Sequence, residues 1–236
     1  RARIDLQLAI AFLCTRVSKS TQEDWEKLRR VLKYIHKTID LPRVIGVKDF
    51  KVLQTWVDAS YATHPDMRSH TGGVISLGHG VITSKSSKQK VNTKSSTEAE
   101  LVGASDFVSH TMWTTWFLKD QGYIVESNIF YQDNQSAILL EKNGRGSCGE
   151  KSRHINIRYF FIKDVFRREK ITVTHCPTER MIADYFTKPL LGSLFTFLRN
   201  IIMGITPYPT KERVGDKVCS GTECTEIKSS TTNTGE

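Results

Sequence analysis

Cysteine is sparse and unpatterned: five in 236 residues (Cys14, Cys148, Cys176, Cys219, Cys224), with no Cys-x-x-Cys spacing and no histidine cluster beside them. That excludes a disulfide scaffold or a zinc site and points to reduced thiols inside a cell. Long apolar runs are missing too. Leu8 to Cys14 is bounded by Gln7 and Arg16, and Leu190 to Leu198 is followed by Arg199, so neither reaches the roughly 20 residues of a membrane-spanning helix. No secretory leader opens the sequence, and no methionine does. The expectation is an intracellular, non-secreted protein without a membrane partner, and a piece of something longer. Acidic residues are in deficit, 25 against 34 lysines and arginines, giving a net charge of +9 and a pI near 9.3 that suit a polyanion such as nucleic acid. No Tyr-x-Asp-Asp pair occurs and there is no room for fingers and palm, so polymerase activity is not supported. The 39% hydrophobic content is enough to bury a substantial core.

The pattern along the chain places acids at the ends of elements. Residues 6–17 read as a helix, and Ser20 with Glu23 reads as a capping box for a second one carrying Trp25, Leu28, Leu32 and Ile35 on one face. Lysines and arginines on its other faces suit either solvation or phosphate contact. Beyond a boundary at Leu41-Pro42-Arg43 and Gly46, the run from Val52 to Val57 reads as a strand ending on Asp58. Val74 to Leu77 and Val81 to Ser84, turned by Gly78-His79-Gly80, add a hairpin, so three antiparallel strands come first. Lys85, Lys88, Lys90 and Lys94 follow among short polar residues that can touch phosphate and sugar without reading bases. A long helix then begins near Ser95, with Leu101, Ala104, Val108 and Met112 facing a core. Its Glu98 and Glu100 lie about 200° apart around the axis and cannot both face one site.

A strand ending at Gln132 leads to Asp133 and Asn134, where a helix begins; Asp133 taken alone reads first as a helix cap and only second as a ligand. Asn143 to Ser147 reads as a flexible break, and the helix after it is basic, with Arg153, Arg158, Lys163, Arg167 and Arg168. Ile171 to Thr174 is a strand. Pro177 turns the chain into a helix expected to carry Asp184, and an amphipathic helix follows over 191–205. From 206 the Pro-, Ser-, Thr- and Gly-rich tail is expected to be disordered. Trp113 and Trp116 are expected to pack within their helix.

Five ordered motifs now stand together: Trp56-Val57-Asp58-Ala59-Ser60-Tyr61, Ser95-Ser96-Thr97-Glu98-Ala99-Glu100, Tyr131-Gln132-Asp133-Asn134-Gln135-Ser136-Ala137, Lys151 to Arg158, and Ala183-Asp184-Tyr185-Phe186-Thr187-Lys188. In these the sequence resembles the ribonuclease H domain of copia-type LTR retrotransposon polyproteins, over about residues 1–204. The resemblance implies an α/β, ribonuclease H-like fold: a mixed five-stranded sheet, three antiparallel strands first and then two parallel, flanked by helices. It implies a division into 1–47, the helical end of the reverse transcriptase region; 48–190, the ribonuclease H-like domain; 191–205, a C-terminal helix; and 206–236, the tail. The family pattern has a proline at Ile4, a departure expected to loosen the turn there.

The resemblance further implies hydrolysis of the RNA strand of RNA/DNA hybrids by Asp58, Glu100, Asp133 and Asp184 around two Mg²⁺ ions, with Mn²⁺ as an alternative and no small-molecule cofactor. Such ions activate a water and stabilise the departing 3′ oxygen, and carboxylates suit them as hard ligands. By family correspondence Asp58 bridges both ions, Glu100 and Asp133 hold the leaving-group side, and Asp184 completes the nucleophile side. Glu100 is chosen over Glu98 because a bulky residue follows it. Lys85, Lys88, Lys90, Lys94, Asn134, Arg153 and Arg158 are the expected grip on the hybrid, and Glu98, His154 and His175 are accessory candidates. Expected partners are the hybrid and the reverse transcriptase of the same polyprotein, in a cytoplasmic virus-like particle with a nuclear phase besides. Two other readings compete: a catalytically silent nucleic-acid tether, and an integrase-like polynucleotidyl transferase of the same fold.

Overall fold

The computed structural model describes residues 2–143 and 153–209. A 3-10 turn at Ile4–Leu6 leads into α1 (Gln7–Cys14), and α2 (Gln22–Lys37) follows. The cap of α2 is Thr21, one residue later than the sequence pattern suggests. Its side chain accepts from the Asp24 N–H while Asp24 accepts from the Thr21 N–H, because Asp24 stands three residues on and turns inward. The expected apolar face of α2 is only partly covered: Trp25 and Leu32 are exposed.

The strands run in chain order as β1 (Gly46–Val47), β2 (Val52–Ser60), β3 (His70–Ser76), β4 (Gly78–His79), β5 (Thr83–Lys88), β6 (Ser127–Gln132) and β7 (Ile171–His175). Five of them form the main sheet in the order β5-β3-β2-β6-β7, and the short β1 and β4 pair beside it. Strands β2, β3 and β5 are antiparallel, whereas β6 and β7 run parallel to β2. This is the mixed ribonuclease H-like architecture expected from the motifs. Helices α3 (Ser96–Asp120), α4 (Gln135–Asn143) and α5 (Arg153–Arg168) cross one face. There Leu53, Val57, Leu101, Phe107, Phe130 and Ile162 form one core. The alternate positions of β2 and β3 point the other way, as the two-residue period of a strand requires. Trp56 and Val74 thus meet Ile4, Met181, Ile182, Phe186 and, from α6 (Gly192–Ile202), Leu198 and Ile202.

Ile4 is therefore anchored in this second core, inside a 3-10 turn that Arg3 and Asp5 close by an ion pair. The helix expected to carry Asp184 is a 3-10 segment, Ile182–Phe186, preceded by another at Thr178–Arg180. Five buried residues in a row would not fit the one-sided stripe of an α-helix on a surface, and here they are enclosed between the sheet and α6. Trp113 and Trp116 pack along their own helix and toward its neighbour without entering a core. They stand on the outer side of α3, 62% and 46% exposed, with Trp113 stacked on Phe117 and Trp116 bonded to Glu169. Among the described residues no helix is long and apolar enough to cross a membrane.

Candidate active site

Parallel strands bring their C-terminal ends to one sheet edge, and that is where the acids gather. Trp56 lies opposite Tyr131, so two places further on Asp58 comes beside Asp133. Gln132 lies opposite His175, which puts His175 at the same edge. The antiparallel pairings bring Ser60, His70 and Lys88 to it too. Glu100 reaches it from the second turn of α3, whose start is fixed by the Ser95 hydroxyl accepting from the Glu98 N–H.

Oxygen atoms of Asp58, Glu100 and Asp133 lie within 4.8 Å of one another, and Asp58 and Glu100 are buried. Asp184, also buried, stands beside this triad. It is tied to Asp58 through Lys188, whose Nζ lies 2.7 Å from Asp184 Oδ1 and 3.4 Å from Asp58 Oδ1. The Thr187 hydroxyl donates to Asp58 Oδ2, and the Ser60 hydroxyl donates to the Thr187 carbonyl at 3.1 Å. Gly72, the partner of Asp58 on β3, is what lets this segment lie against the sheet. A Cβ there would stand 2.7 Å from Thr187 Cγ2 and 2.9 Å from the Ala183 carbonyl oxygen.

Crowding of like charges in a dry place shows in the proton affinities. Burial, then Asp58 and Asp133, hold the Glu100 carboxyl well above the carboxylate range. Burial and Asp58 likewise raise Asp133, against the pull of Lys188, its own backbone N–H and His175. Burial and Asp58 carry Asp184 up to about 7 although Lys188 opposes them. The Lys188 ammonium loses by burial but gains more from Asp58, Asp184 and Asp133, so it holds its proton more firmly than a free lysine. The donor set fits a hard divalent cation. It is all oxygen, the donor type Mg²⁺ prefers, and it comes from three side chains gathered within 4.8 Å at one edge.

The two glutamates of the α3 start are separated as helical geometry demands. Glu98 bends back to accept from the Lys94 N–H at 2.7 Å, a capping contact, while Glu100 joins the acids and accepts from Gln132 Nε2 at 3.4 Å. The cap of α4 is Asn134, whose Oδ1 accepts from the Ala137 N–H at 3.0 Å, which leaves Asp133 free of that task. Of the basic residues, Lys90 and Lys94 are exposed beyond the acid-bearing edge. Lys88 pairs with Asp66 at 2.6 Å, and both Lys85 and Arg158 meet Asp106 on α3, well along the helix from Glu100. Nothing is described of the Arg153 and His154 side chains or of residues 144–152, which fall outside the described part, as do 210–236.

Residues that pattern reading missed are Gly72, Thr187 and Lys188. Thr187 and Lys188 stand inside a quoted motif; Gly72 stands in a turn-like Thr-Gly-Gly whose function only the overlying segment reveals.

A second polar array adjoins the site. His64, His70 and Ser86 are buried in a chain: His64 Nε2 to His70 Nδ1 at 3.0 Å, His70 Nε2 to Ser86 Oγ at 2.8 Å, and Ser86 Oγ donating to the Phe186 carbonyl at 2.8 Å. Since the Ser86 proton goes to Phe186, His70 Nε2 must donate to Ser86 and His64 Nε2 must donate to His70. Among the described residues His64 Nδ1 is left a buried acceptor without a partner. Phe12 stacks on both rings, and burial together with His64 lowers His70 to about 4.

No protein-family model matches the chain. It is 31% identical over 202 residues, 84% of its length, to the retrovirus-related Pol polyprotein from transposon RE2 of Arabidopsis thaliana. It is 28% identical over 201 residues, 85% of its length, to that from transposon TNT 1-94 of Nicotiana tabacum. It spans only 14% and 15% of those two polyproteins. Among solved structures, ribonuclease H1 of the halophilic archaeon Halobacterium salinarum is similar over 53% of this chain and 86% of its own, at 16% identity and a TM-score of 0.35.

Proposed function

The chain belongs, as a segment, with the retrovirus-related Pol polyproteins of transposons, and from that premise we propose that it is a ribonuclease H that cleaves the RNA strand of RNA/DNA hybrids during reverse transcription. The observation that carries this reading is the convergence of Asp58, Glu100 and Asp133 within 4.8 Å at the C-terminal edge of the parallel strands, with Asp184 alongside. Asp58, Glu100, Asp133 and Asp184 are the residues that would hold two Mg²⁺ ions. Bound there, such ions supply a nucleophilic water and charge stabilisation for in-line displacement at phosphorus.

The residues of the chain contribute position and electrostatics. Burial keeps the carboxylates poorly solvated, so a cation and a scissile phosphate meet dry ligands. Thr187 orients Asp58 by its hydroxyl, and Gly72 lets Thr187 and Asp184 sit close to the sheet. His175, exposed at the same edge, is an accessory candidate for assisting proton transfer or product release. Of the four lysines between Lys85 and Lys94, Lys90 and Lys94 are the exposed ones and suit a phosphate backbone, and a grip of this kind reads shape and 2′-hydroxyls instead of sequence.

Residues 1–47 are read as the end of the reverse transcriptase region. Their exposed Val17, Trp25 and Leu32, with a cleft of about 450 Å³ between α1 and α2, suit docking against the polymerase part of the same polyprotein, inside a cytoplasmic virus-like particle. Incubating the protein with a hybrid labelled on the RNA strand, in Mg²⁺ and in EDTA, tests the function. Cleavage in Mg²⁺ that Asp133→Asn abolishes without loss of binding is the expected result. Binding without cleavage at any metal concentration would show a tether and not a nuclease.

A further inference from the structure

A cation of the chain's own already stands between two of the acids. The Lys188 Nζ is 2.7 Å from Asp184 Oδ1 and 3.4 Å from Asp58 Oδ1, and its side chain is 38% exposed, with a way out to solvent. The other Asp58 oxygen accepts from Thr187. Asp58, Glu100 and Asp133 bring their oxygens within 4.8 Å of one another, and Asp184 is engaged with the ammonium instead.

We propose that Lys188 is a built-in cation at the second metal position: with its ammonium on Asp58 and Asp184, the protein takes one divalent ion at Asp58, Glu100 and Asp133, and a second binds only when Lys188 swings away. The inference rests on reading the four acids as metal ligands. Its physical basis is competition. An ammonium and a divalent ion cannot share the same two carboxylates at hydrogen-bond distance, since like charges a few ångströms apart in a buried setting repel by far more than thermal energy. The lysine's position supports exchange. It is four residues from Asp184, on a segment held by Ser60, Ser86 and Thr187, so the backbone can stay while the side chain leaves. A hybrid is suited to draw it out, because a phosphate at the site offers the ammonium a new partner.

The test is Mn²⁺ binding to the protein without nucleic acid, read by titration calorimetry and by the loss of free-Mn²⁺ signal in electron paramagnetic resonance. The wild type and Lys188→Arg, which keep the cation, should each bind one Mn²⁺ in the range where Lys188→Met binds two, the second site tightening tenfold or more. Lys188→Gln, which retains a hydrogen bond to Asp184 without the charge, should behave like Lys188→Met and carries the comparison if the methionine variant does not fold. Equal stoichiometry and affinities within twofold across wild type and Lys188→Gln would overturn the proposal. Wild-type protein that binds no Mn²⁺ at all, or binds it equally well as Asp58→Asn, would instead overturn the reading of the acids as ligands.

Discussion

Replacing Asp58 by asparagine should make the metal-free protein more stable, not less. Asp58 is 1% exposed and is the largest electrostatic influence raising Glu100, Asp133 and Asp184. Two unit charges 4.8 Å apart repel by about 3.5 kcal/mol at an effective dielectric constant near 20. The folded protein escapes part of that by keeping carboxyls protonated. A carboxyl whose affinity for a proton is raised by folding contributes stability fully below its unfolded pKa, and that contribution is lost as pH rises through the folded value. For Asp184 the window runs from about 4 to about 7. At pH 8 Asp184 is therefore ionised in the wild type, and removing the Asp58 charge should recover about 1–2 kcal/mol. That is less than one full pair because a neutral amide at this position would be a poorer partner for Lys188, which keeps Asp184 at 2.7 Å. In a protein of this size the gain corresponds to about 2–8 °C in melting temperature. Calorimetric melts in EDTA at pH 5.5 and 8, repeated with Mg²⁺, check it. The wild type should melt lower at pH 8 in EDTA and recover with Mg²⁺, whereas Asp58→Asn should melt higher in EDTA and ignore Mg²⁺. A variant that melts lower than wild type in EDTA at pH 8, beside a wild type indifferent to both pH and Mg²⁺, would refute the electrostatic account.

Gly72→Ala should weaken Mn²⁺ binding and cost about 1–3 kcal/mol in urea denaturation, because its Cβ displaces Thr187 and Ala183; an unchanged Mn²⁺ affinity would show that the segment does not position the acids. Glu100→Gln should abolish hybrid cleavage while Glu98→Gln, which loses only a contact with the Lys94 N–H, should retain most of it; the reverse outcome would exchange their roles. His70, buried neutral and lowered to about 4, should cost stability as pH falls below 6.5, because the unfolded chain takes up the proton first. The displacement from 6.5 to about 4 is worth about 3 kcal/mol. It is read as the difference between wild type and His70→Gln in urea melts from pH 7 to 4.5, and parallel pH profiles would contradict it.

The fold is legible wherever a local period states which face is buried. The β-favouring run from Val52 to Val57 and the helical spacing of Leu101, Ala104, Val108 and Met112 place β2 and α3, and the motif order carries acids at the ends of those elements. Helical geometry alone also separates Glu98 from Glu100, because two residues so spaced cannot face the same way. Local reading fails where burial comes from distant chain segments. Ile182–Phe186 looks helical in isolation but is a 3-10 segment pressed between β3 and α6. Asp133 suits a cap as well as a ligand; the cap goes to Asn134, a choice made by the geometry of one turn.

The order of residues dictates the kind of chemistry: hard carboxylates, a basic surface and an element order that carries acids toward one sheet edge. How those charges are balanced comes from packing alone. The Lys188 ammonium between Asp58 and Asp184, the Thr187 hydroxyl on Asp58 and the space left by Gly72 join residues more than a hundred positions apart. Distances of a few ångströms between such segments follow from how strands and helices pack, and no local pattern of residues encodes them.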